Sequence, residues 1–257
     1  MSSGRKRITA ETKNALLERS NGLCSYCGKP LREGRIQIDH VLPYAFGGSD
    51  DLENLTLACS DCNGKKAARH YSELVAGQVN HLVQFQGAME TIKVLLQLQS
   101  PAPIKASLNR LLYSNVISAM ETYLSDKMIS NVMSDEKLFR RVLTTIPDFK
   151  NEKIAVSNIL DFYAGLRAHV QEYLASQIYH KLDKIKLMYG SIFQISFPAD
   201  LNAVFVAITV RHDIVHRNGK RKDGQFVEVL EDDVTQLIKI VVDLVLDIEL
   251  RLGAKGY

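Results

Sequence analysis

The sequence lacks long apolar runs and any strong excess of charge. No segment approaches the ~18 uninterrupted apolar residues of a membrane span, and the start MSSGRKRITAETK lacks the apolar core of a signal peptide. The 257 residues carry a formal net charge of only +3, which permits nucleic-acid binding without arguing for it. These absences predict a globular protein located in the cytoplasm. At roughly 100 to 200 residues per domain, the length predicts one or two domains.

Cysteine is absent from the last three quarters of the chain. All four cysteines form two Cys-x-x-Cys pairs, Cys24 with Cys27 and Cys59 with Cys62. Disulfides are one option for such a quartet, and unrelated buried thiols are another, but cytosolic thiols stay reduced. Two such pairs supply the four thiolates of a tetrahedral zinc site. The spacing therefore favours a structural Zn²⁺ on which this short segment depends for its fold.

The residues between the cysteine pairs carry a second pattern. Ile36 and Ile38 alternate with polar residues up to Asp39-His40, which predicts a short half-buried strand. Residues 47–51, Gly-Gly-Ser-Asp-Asp, predict a loop. After Cys59, helix-forming residues continue to about residue 74. The predicted local order is strand, loop, strand and helix.

These motifs resemble the HNH endonuclease family over roughly residues 8–71. The resemblance is carried by Cys-x-x-Cys, Asp-His-x-x-Pro, Gly-Gly, Asn-Leu and Cys-x-x-Cys-Asn-x-x-Lys, which occur in register. It implies a ββα-metal fold with a four-cysteine zinc site. It also implies hydrolysis of DNA phosphodiester bonds with a catalytic Mg²⁺ or Mn²⁺.

The resemblance assigns a role to four residues between or within the cysteine pairs. Asp39 and Asn63 are the expected ligands of the catalytic divalent ion, and His40 is the expected general base. Asn54 is expected to orient that histidine. In many family members a histidine stands where Asn63 does, and an amide oxygen is the weaker ligand but suits a hard ion such as Mg²⁺.

Basic residues follow the second cysteine pair. We expect Lys65, Lys66 and Arg69 to meet nucleic-acid phosphates from the helix that begins there, although they could equally form a solvated helix face. The whole segment could also be a zinc module that binds nucleic acid without cutting it. The joint presence of His40 and its three expected partner residues favours the nuclease.

The remainder of the chain has apolar residues at helical spacing. Helices are predicted over segments that include 152–160 and 164–188, and most clearly over about 232–252. The prolines in residues 100–106 predict a joint. The fold class expected is α+β: an HNH domain at 1–75, a connecting helix and joint at 76–105, and an all-α helical domain at 106–257.

Within the helical region, one cluster combines an arginine with two histidines. Placed on a helix, His212 and His216 share a face next to Arg211. With the segment 111–126, this cluster resembles the HEPN family. The resemblance implies a helical bundle, a homodimer, and metal-independent RNA cleavage in which Arg211, His212 and His216 are catalytic. Alternatives are an inactive HEPN domain that serves as a dimerising scaffold, or a polar helix whose histidines pair with Asp213 or cap the following loop.

Two functional hypotheses follow. The first is an HNH endonuclease acting on DNA, whose HEPN-like domain cleaves RNA or mediates dimerisation, as in bacterial anti-phage defence or a toxin system. The second is a non-catalytic nucleic-acid-binding adaptor. A further variant is a HEPN ribonuclease that uses the HNH module for targeting. No membrane partner is expected.

Overall fold

The computed structural model describes residues 8–31, 36–66 and 80–257. The described chain is α+β: it is mostly helical, with one small two-stranded sheet and a four-cysteine cluster near the N-terminus. None of the described helices is both long enough and apolar enough to cross a membrane.

The first helix, α1 (Ala10–Ser20), fixes the start of the described fold. Its N-cap is Thr9, whose hydroxyl accepts a hydrogen bond from the Thr12 amide. Near its end, Arg19 donates to the backbone carbonyls of Leu52 and Leu55. Burial lowers the pKa of Arg19 to about 10, partly offset by the negative charge of Glu53. This arginine therefore joins α1 to the sheet.

The sheet pairs β1 (Ile36–His40) with β2 (Leu55–Cys59) in antiparallel register. Because side chains alternate along a strand, Ile36 and Ile38 share one face. That face packs in a small core with the buried Leu16, Leu55 and Leu57. The other face of β1 carries Gln37 and Asp39, so these two polar side chains are separated from this core.

A loop with two short 3-10 turns, Tyr44–Phe46 and Leu52–Asn54, connects the strands. The helix α2 (Ser60–Lys66) follows β2 directly. The predicted order of strand, loop, strand and helix is confirmed. The predicted continuation of the last helix to about residue 74 lies outside the described residues.

Eight further helices follow in the described chain. They are α3 (His81–Leu96), α4 (Ala102–Ser134), α5 (Glu136–Thr145), α6 (Pro147–Lys150), α7 (Ile159–Ala175), α8 (Leu182–Phe193), α9 (Asn202–His216) and α10 (Glu231–Gly253). The chain divides into two compact units. One contains the described residues up to Ala119 together with Val210–Val242, and the other contains Met120–Thr209 and Asp243–Tyr257.

Two helix predictions were wrong in their extent. The predicted helix 164–188 is broken at residues 176–181, where Tyr179 turns inward and its hydroxyl donates to the Leu174 carbonyl at 3.0 Å. That bond supplies a partner to a carbonyl at the end of α7. The predicted helix 152–160 begins too early, because residues 152–155 are not helical and α7 starts at Ile159. Helix α10 is confirmed.

Gly48 allows a test of packing in the loop between the strands. A Cβ on this residue would lie 1.9 Å from the Leu42 carbonyl oxygen and 2.7 Å from Asn54 Nδ2. We expect Gly48→Ala to destabilise the first unit by about 1–3 kcal/mol, because one neighbouring atom belongs to the backbone and the other to the fully buried Asn54. The measurement is the thermal unfolding midpoint of the zinc-loaded protein.

Gly64→Ala is the matched control for Gly48→Ala. Gly64 lies in α2, and a Cβ there would meet nothing within 4 Å. Gly64→Ala should stabilise the protein by about 0.5–1 kcal/mol, because alanine restricts the unfolded chain more than glycine does. A Gly48→Ala protein that melts at or above the wild-type temperature would contradict this description of the loop.

Candidate functional site

The four cysteines come together as predicted. Their sulfur atoms all lie within 4.8 Å of one another, and all four cysteines are free rather than disulfide-bonded. Cys27 Sγ and Cys59 Sγ are 3.9 Å apart, close to the ~3.8 Å between thiolates that share a tetrahedral zinc at 2.3 Å. Within residues 8–31, 36–66 and 80–257, these four cysteines are the one group of three or more His, Cys, Asp or Glu side chains placed closely enough to hold a metal ion. The cluster could hold zinc.

The protein environment alone disfavours thiolates at two of these positions. Burial raises the pKa of the Cys24 thiol, and it also raises the pKa of the Cys62 thiol. A bound cation reverses this preference, because a metal stabilises the thiolate form of its ligands. The donor set therefore fits a metal ion that helps to fold the segment.

Asp39 is fixed by hydrogen bonds from residues on two other parts of the chain. Its side chain is largely buried, and the Tyr26 hydroxyl donates to Asp39 Oδ2 at 2.5 Å. Tyr26 lies between Cys24 and Cys27, so the first cysteine pair is connected directly to Asp39. Burial, followed by the charge of Asp39, raises the pKa of Tyr26 and keeps this phenol a donor.

Lys66 provides the charge that balances Asp39. Its ammonium lies 3.0 Å from Asp39 Oδ2 and also donates to the His40 carbonyl at 2.5 Å. The side chain has no exposed surface. The prediction that Lys66 meets phosphates from an exposed helix face is therefore wrong in this structure. A buried carboxylate needs a compensating charge, and Lys66 provides it. Lys65 is exposed as predicted, and Arg69 lies outside the described residues.

Asn63 lies on the same side of the sheet as Asp39. Its amide Nδ2 donates to Gln37 Oε1 at 2.7 Å. Gln37 and Asp39 share a face of β1, because they are two residues apart in a strand. This contact uses the Asn63 nitrogen, so the amide oxygen is the atom of this side chain that can bind a cation. Asp39 accepts from the Tyr26 hydroxyl at Oδ2 and from the Lys66 ammonium at both oxygens, which makes three contacts. A carboxylate offers about four lone-pair positions, so Asp39 retains capacity for a ligand bond. These two oxygen donors fit a hard divalent ion.

His40 has an acidic partner that the sequence did not reveal. His40 Nε2 lies 2.8 Å from Asp50 Oδ1. An ionised carboxylate only accepts hydrogen bonds, so the pair places the proton on Nε2 and leaves Nδ1 as the basic nitrogen. The His40 side chain is 15% exposed. This arrangement can remove a proton from water that reaches Nδ1.

Asn54 acts on the loop rather than directly on the imidazole. Its side chain is fully buried, accepts from the Leu42 amide at 2.8 Å, and donates to the carbonyls of Leu42 and Ser49. These bonds clamp the two ends of the loop that leaves His40 and arrives at Asp50. The expected orienting effect of Asn54 on His40 is thus indirect in this structure.

Sequence reasoning missed Tyr26 and Asp50 for different reasons. Tyr26 looked like a spacer within Cys-x-x-Cys, and its role depends on how that turn packs against β1. Asp50 and Asp51 looked like ordinary loop residues. The available signal was an acidic residue between Gly47-Gly48 and Asn54, in a loop that returns to His40.

The Arg211 cluster lies at the end of α9. The rings of His212 and His216 are 4.7 Å apart between centroids, and both residues are exposed. Arg211 Nε is buried, with no hydrogen-bond partner among the described residues. Asn218 and Gly219 follow with positive φ angles of 52° and 78°, which end the helix. The three predicted residues thus lie within the last two turns of one helix.

Zinc removal tests the cysteine cluster. We expect Cys62→Ser to lose most of the bound zinc and to unfold the segment around the sheet, because zinc binding and folding are coupled. Zinc content by elemental analysis and thermal unfolding measure the two effects. Ser60→Ala, in the same turn, is the control and should keep a full equivalent of zinc. A Cys62→Ser protein with both wild-type zinc content and wild-type unfolding would contradict the assignment.

The residues that form this site are similar to parts of known proteins. The family model described as HNH endonuclease matches residues 24–69. The chain is 39% identical over 51 residues to the CRISPR-associated endonuclease Cas9 of Corynebacterium diphtheriae, covering 20% of this chain and 5% of that protein. It is 30% identical over 77 residues to the type IV methyl-directed restriction enzyme EcoKMcrA of Escherichia coli, covering 26% of this chain and 28% of that protein.

Both likenesses are confined to a part of each protein. The chain spans 28% or less of the length of these two curated relatives. The matched residues 24–69 contain both cysteine pairs, together with Asp39, His40 and Asn63. The family model and the relatives therefore support an HNH endonuclease domain at residues 24–69.

Proposed function

We propose that this protein is an endonuclease that uses Mg²⁺ or Mn²⁺ to hydrolyse phosphodiester bonds of DNA. Two observations carry the proposal: Asp39 of β1 and Asn63 of α2 lie on the same side of the sheet, and His40, the next residue of β1, is paired with Asp50. This grouping lies within the residues that match the HNH endonuclease model. Both curated relatives are named as an endonuclease or a restriction enzyme, which supports DNA as the substrate.

Asp39 and Asn63 would hold the catalytic divalent ion through a carboxylate oxygen and an amide oxygen. When bound, such an ion stabilises the negative charge that develops on the phosphate and on the leaving oxygen. Tyr26 and Lys66 fix the Asp39 carboxylate from two sides. The protein thus orients this ligand before any ion arrives, which reduces the reorganisation that binding requires.

His40 is the general base in this proposal. Its Nδ1 accepts a proton from the attacking water, while Asp50 holds the proton on Nε2 and stabilises the resulting imidazolium. Exposed groups on the elements that carry the site are Lys65 of α2 and the aromatic rings of Tyr44 and Phe46 in the loop after β1. The lysine suits phosphate contact by charge, and the rings offer apolar contact to nucleotides.

The His40→Ala substitution tests the DNA nuclease. We expect wild-type protein to cut duplex DNA when Mg²⁺ is added and not in its absence, and His40→Ala to cut at least 100-fold more slowly, because general-base catalysis contributes about 10²–10⁴-fold. The measurement is the single-turnover cleavage rate of labelled duplex DNA. Zinc content should stay at the wild-type level.

His216→Ala is the matched control for DNA cleavage. His216 is a histidine on α9 outside the HNH match and should leave the DNA rate unchanged. Cleavage by His40→Ala at the wild-type rate would contradict the proposed mechanism. If wild-type protein binds DNA but never cuts it, the non-catalytic adaptor replaces this proposal.

A second candidate activity is RNA cleavage without a metal. The observation in its favour is the proximity of His212 and His216 beside a buried, unpartnered Arg211 nitrogen within the described chain. The histidines would transfer protons as the RNA 2′-hydroxyl attacks its own phosphodiester. Arg211 would pair with the charge on the phosphate. By the HEPN resemblance, a homodimer brings two such clusters together. Together the two activities would suit defence against foreign nucleic acid.

RNA cleavage in chelator tests this second activity. We expect labelled single-stranded RNA to be cut with EDTA present, and His216→Ala to lower that rate by at least 100-fold because a proton carrier is removed. His40→Ala is the cross-control, since it should cut RNA at the wild-type rate. RNA that stays intact in EDTA at micromolar protein concentrations would contradict the second activity and leave the DNA nuclease untouched.

A further inference from the structure

Helix α3 lies outside the residues that match the HNH model, yet it packs along the candidate site. Val83, Glu90 and Val94 occur at helical spacing on one side of this helix. Val83 joins the core that contains Cys24 and Tyr26. At the other end, a Cβ on Gly47 would lie 3.2 Å from Val94, so α3 closely approaches the loop between the strands.

Glu90 is the anomaly in this stripe, because a carboxylate stands where an apolar side chain would pack. The residue is 1% exposed. Its Oε2 accepts a hydrogen bond from the Ser49 hydroxyl at 3.1 Å and faces the Ser49 amide nitrogen at 3.4 Å. The other oxygen pairs with Lys93 at 2.5 Å. A buried carboxylate is costly unless it is paired, so its presence indicates a specific attachment to the loop.

Ser49 is held at each of its polar groups. Glu90 engages the hydroxyl and the amide, and the Ser49 carbonyl accepts from Asn54 Nδ2 at 2.8 Å. The next residue is Asp50, the partner of His40. A rotation of the peptide between Ser49 and Asp50 would move the Asp50 carboxylate away from the imidazole. Displacements of about 1 Å at a catalytic group can cost 100-fold in rate.

We propose that Glu90 is a positioning residue for the nuclease: from α3 it fixes Ser49 and thereby sets Asp50 against His40. The active site then has three parts: the sheet of β1 and β2 with its connecting loop, helix α2, and helix α3. The proposal rests on the proposed DNA nuclease function. It extends that site beyond residues 24–69.

A double-mutant cycle tests the proposal. Single-turnover DNA cleavage at saturating Mg²⁺ is measured for Glu90→Ala, Asp50→Asn and the double variant. We expect Glu90→Ala to cut at least 10-fold more slowly, Asp50→Asn to cut at least as slowly, and the double variant to be within about twofold of Asp50→Asn. Residues that act through one contact are non-additive in this way. If the two rate losses multiply, Glu90 does not act through Asp50 and the proposal is wrong.

Two variants separate positioning from folding. Glu90→Gln keeps an oxygen acceptor for Ser49 and should retain the rate within about threefold. Thr91→Ala, the neighbouring position on α3, removes a methyl group and a hydroxyl that bonds to the Gly87 carbonyl, without touching Ser49, and should cut like wild type. If the Glu90→Ala protein fails to bind a full equivalent of zinc, Ser49→Ala takes the place of Glu90→Ala in the cycle. Ser49→Ala removes the hydroxyl that donates to Glu90, so it breaks the same hydrogen bond from the other end.

Hydrogen exchange gives a readout that does not depend on cleavage. Glu90→Ala should speed exchange of the amides in residues 47–54 by at least 10-fold, and Thr91→Ala should not. Unchanged exchange in Glu90→Ala would overturn the proposed anchoring of the loop. If wild-type protein does not cut DNA or His40→Ala cuts normally, the nuclease function fails instead, and the exchange result still decides whether Glu90 holds the loop.

Discussion

The meeting of two distant cysteine pairs is the constraint on which the nuclease-like part of the fold depends. Cys24 and Cys27 precede β1, whereas Cys59 and Cys62 span the junction of β2 and α2. Because the four thiol sulfurs lie within 4.8 Å of one another, the intervening chain must return on itself, and it does so as two antiparallel strands. The sheet has only two strands, which are marginally stable alone in water. A metal at the thiolates would supply the stability that so small a core lacks.

Charge compensation transmits this constraint to the site. Tyr26, inside the first cysteine pair, bonds to Asp39, and Lys66, one turn beyond the second pair, pairs with the same carboxylate. Removing either partner of a buried ion pair is strongly unfavourable, because the other charge is left without compensation. Asp39 is thus held between the two ends of the metal-binding segment. On the proposed function, this is how a structural cluster prepares a ligand for a second, catalytic ion.

The sequence predicted the parts of this arrangement that depend on spacing and alternation. Two Cys-x-x-Cys pairs indicated the metal cluster, and Ile36 alternating with polar residues indicated β1. The placement of Asp39 on the same face of β1 as Gln37 follows from the strand period. These properties are local, so they can be read without the rest of the fold. The break at residues 176–181 escaped detection because apolar periodicity continues across it while the chain turns.

The remaining features depend on contacts between residues far apart in the chain. A lysine after a cysteine pair has the composition of a phosphate contact, and only the packing of α2 against β1 shows that Lys66 is buried. Glu90 is 41 residues from Ser49, and no local pattern connects them. The contact between Asp50 and His40 depends on the path of the loop between the strands. Partners of this kind are set by tertiary structure, which is why the sequence indicated candidate catalytic residues but not the residues that support them.

The central claim is that Asp39 and Asn63 together hold the catalytic divalent ion. It is tested most directly by Mn²⁺ binding, followed by electron paramagnetic resonance, in a His40→Ala background that keeps added duplex DNA intact. Asn63→Ala in that background removes one ligand while leaving the buried Asp39–Lys66 pair in place. The account predicts one bound Mn²⁺ per chain in the presence of DNA and at least 10-fold weaker binding after Asn63→Ala. Equal Mn²⁺ affinity in the two proteins would contradict it.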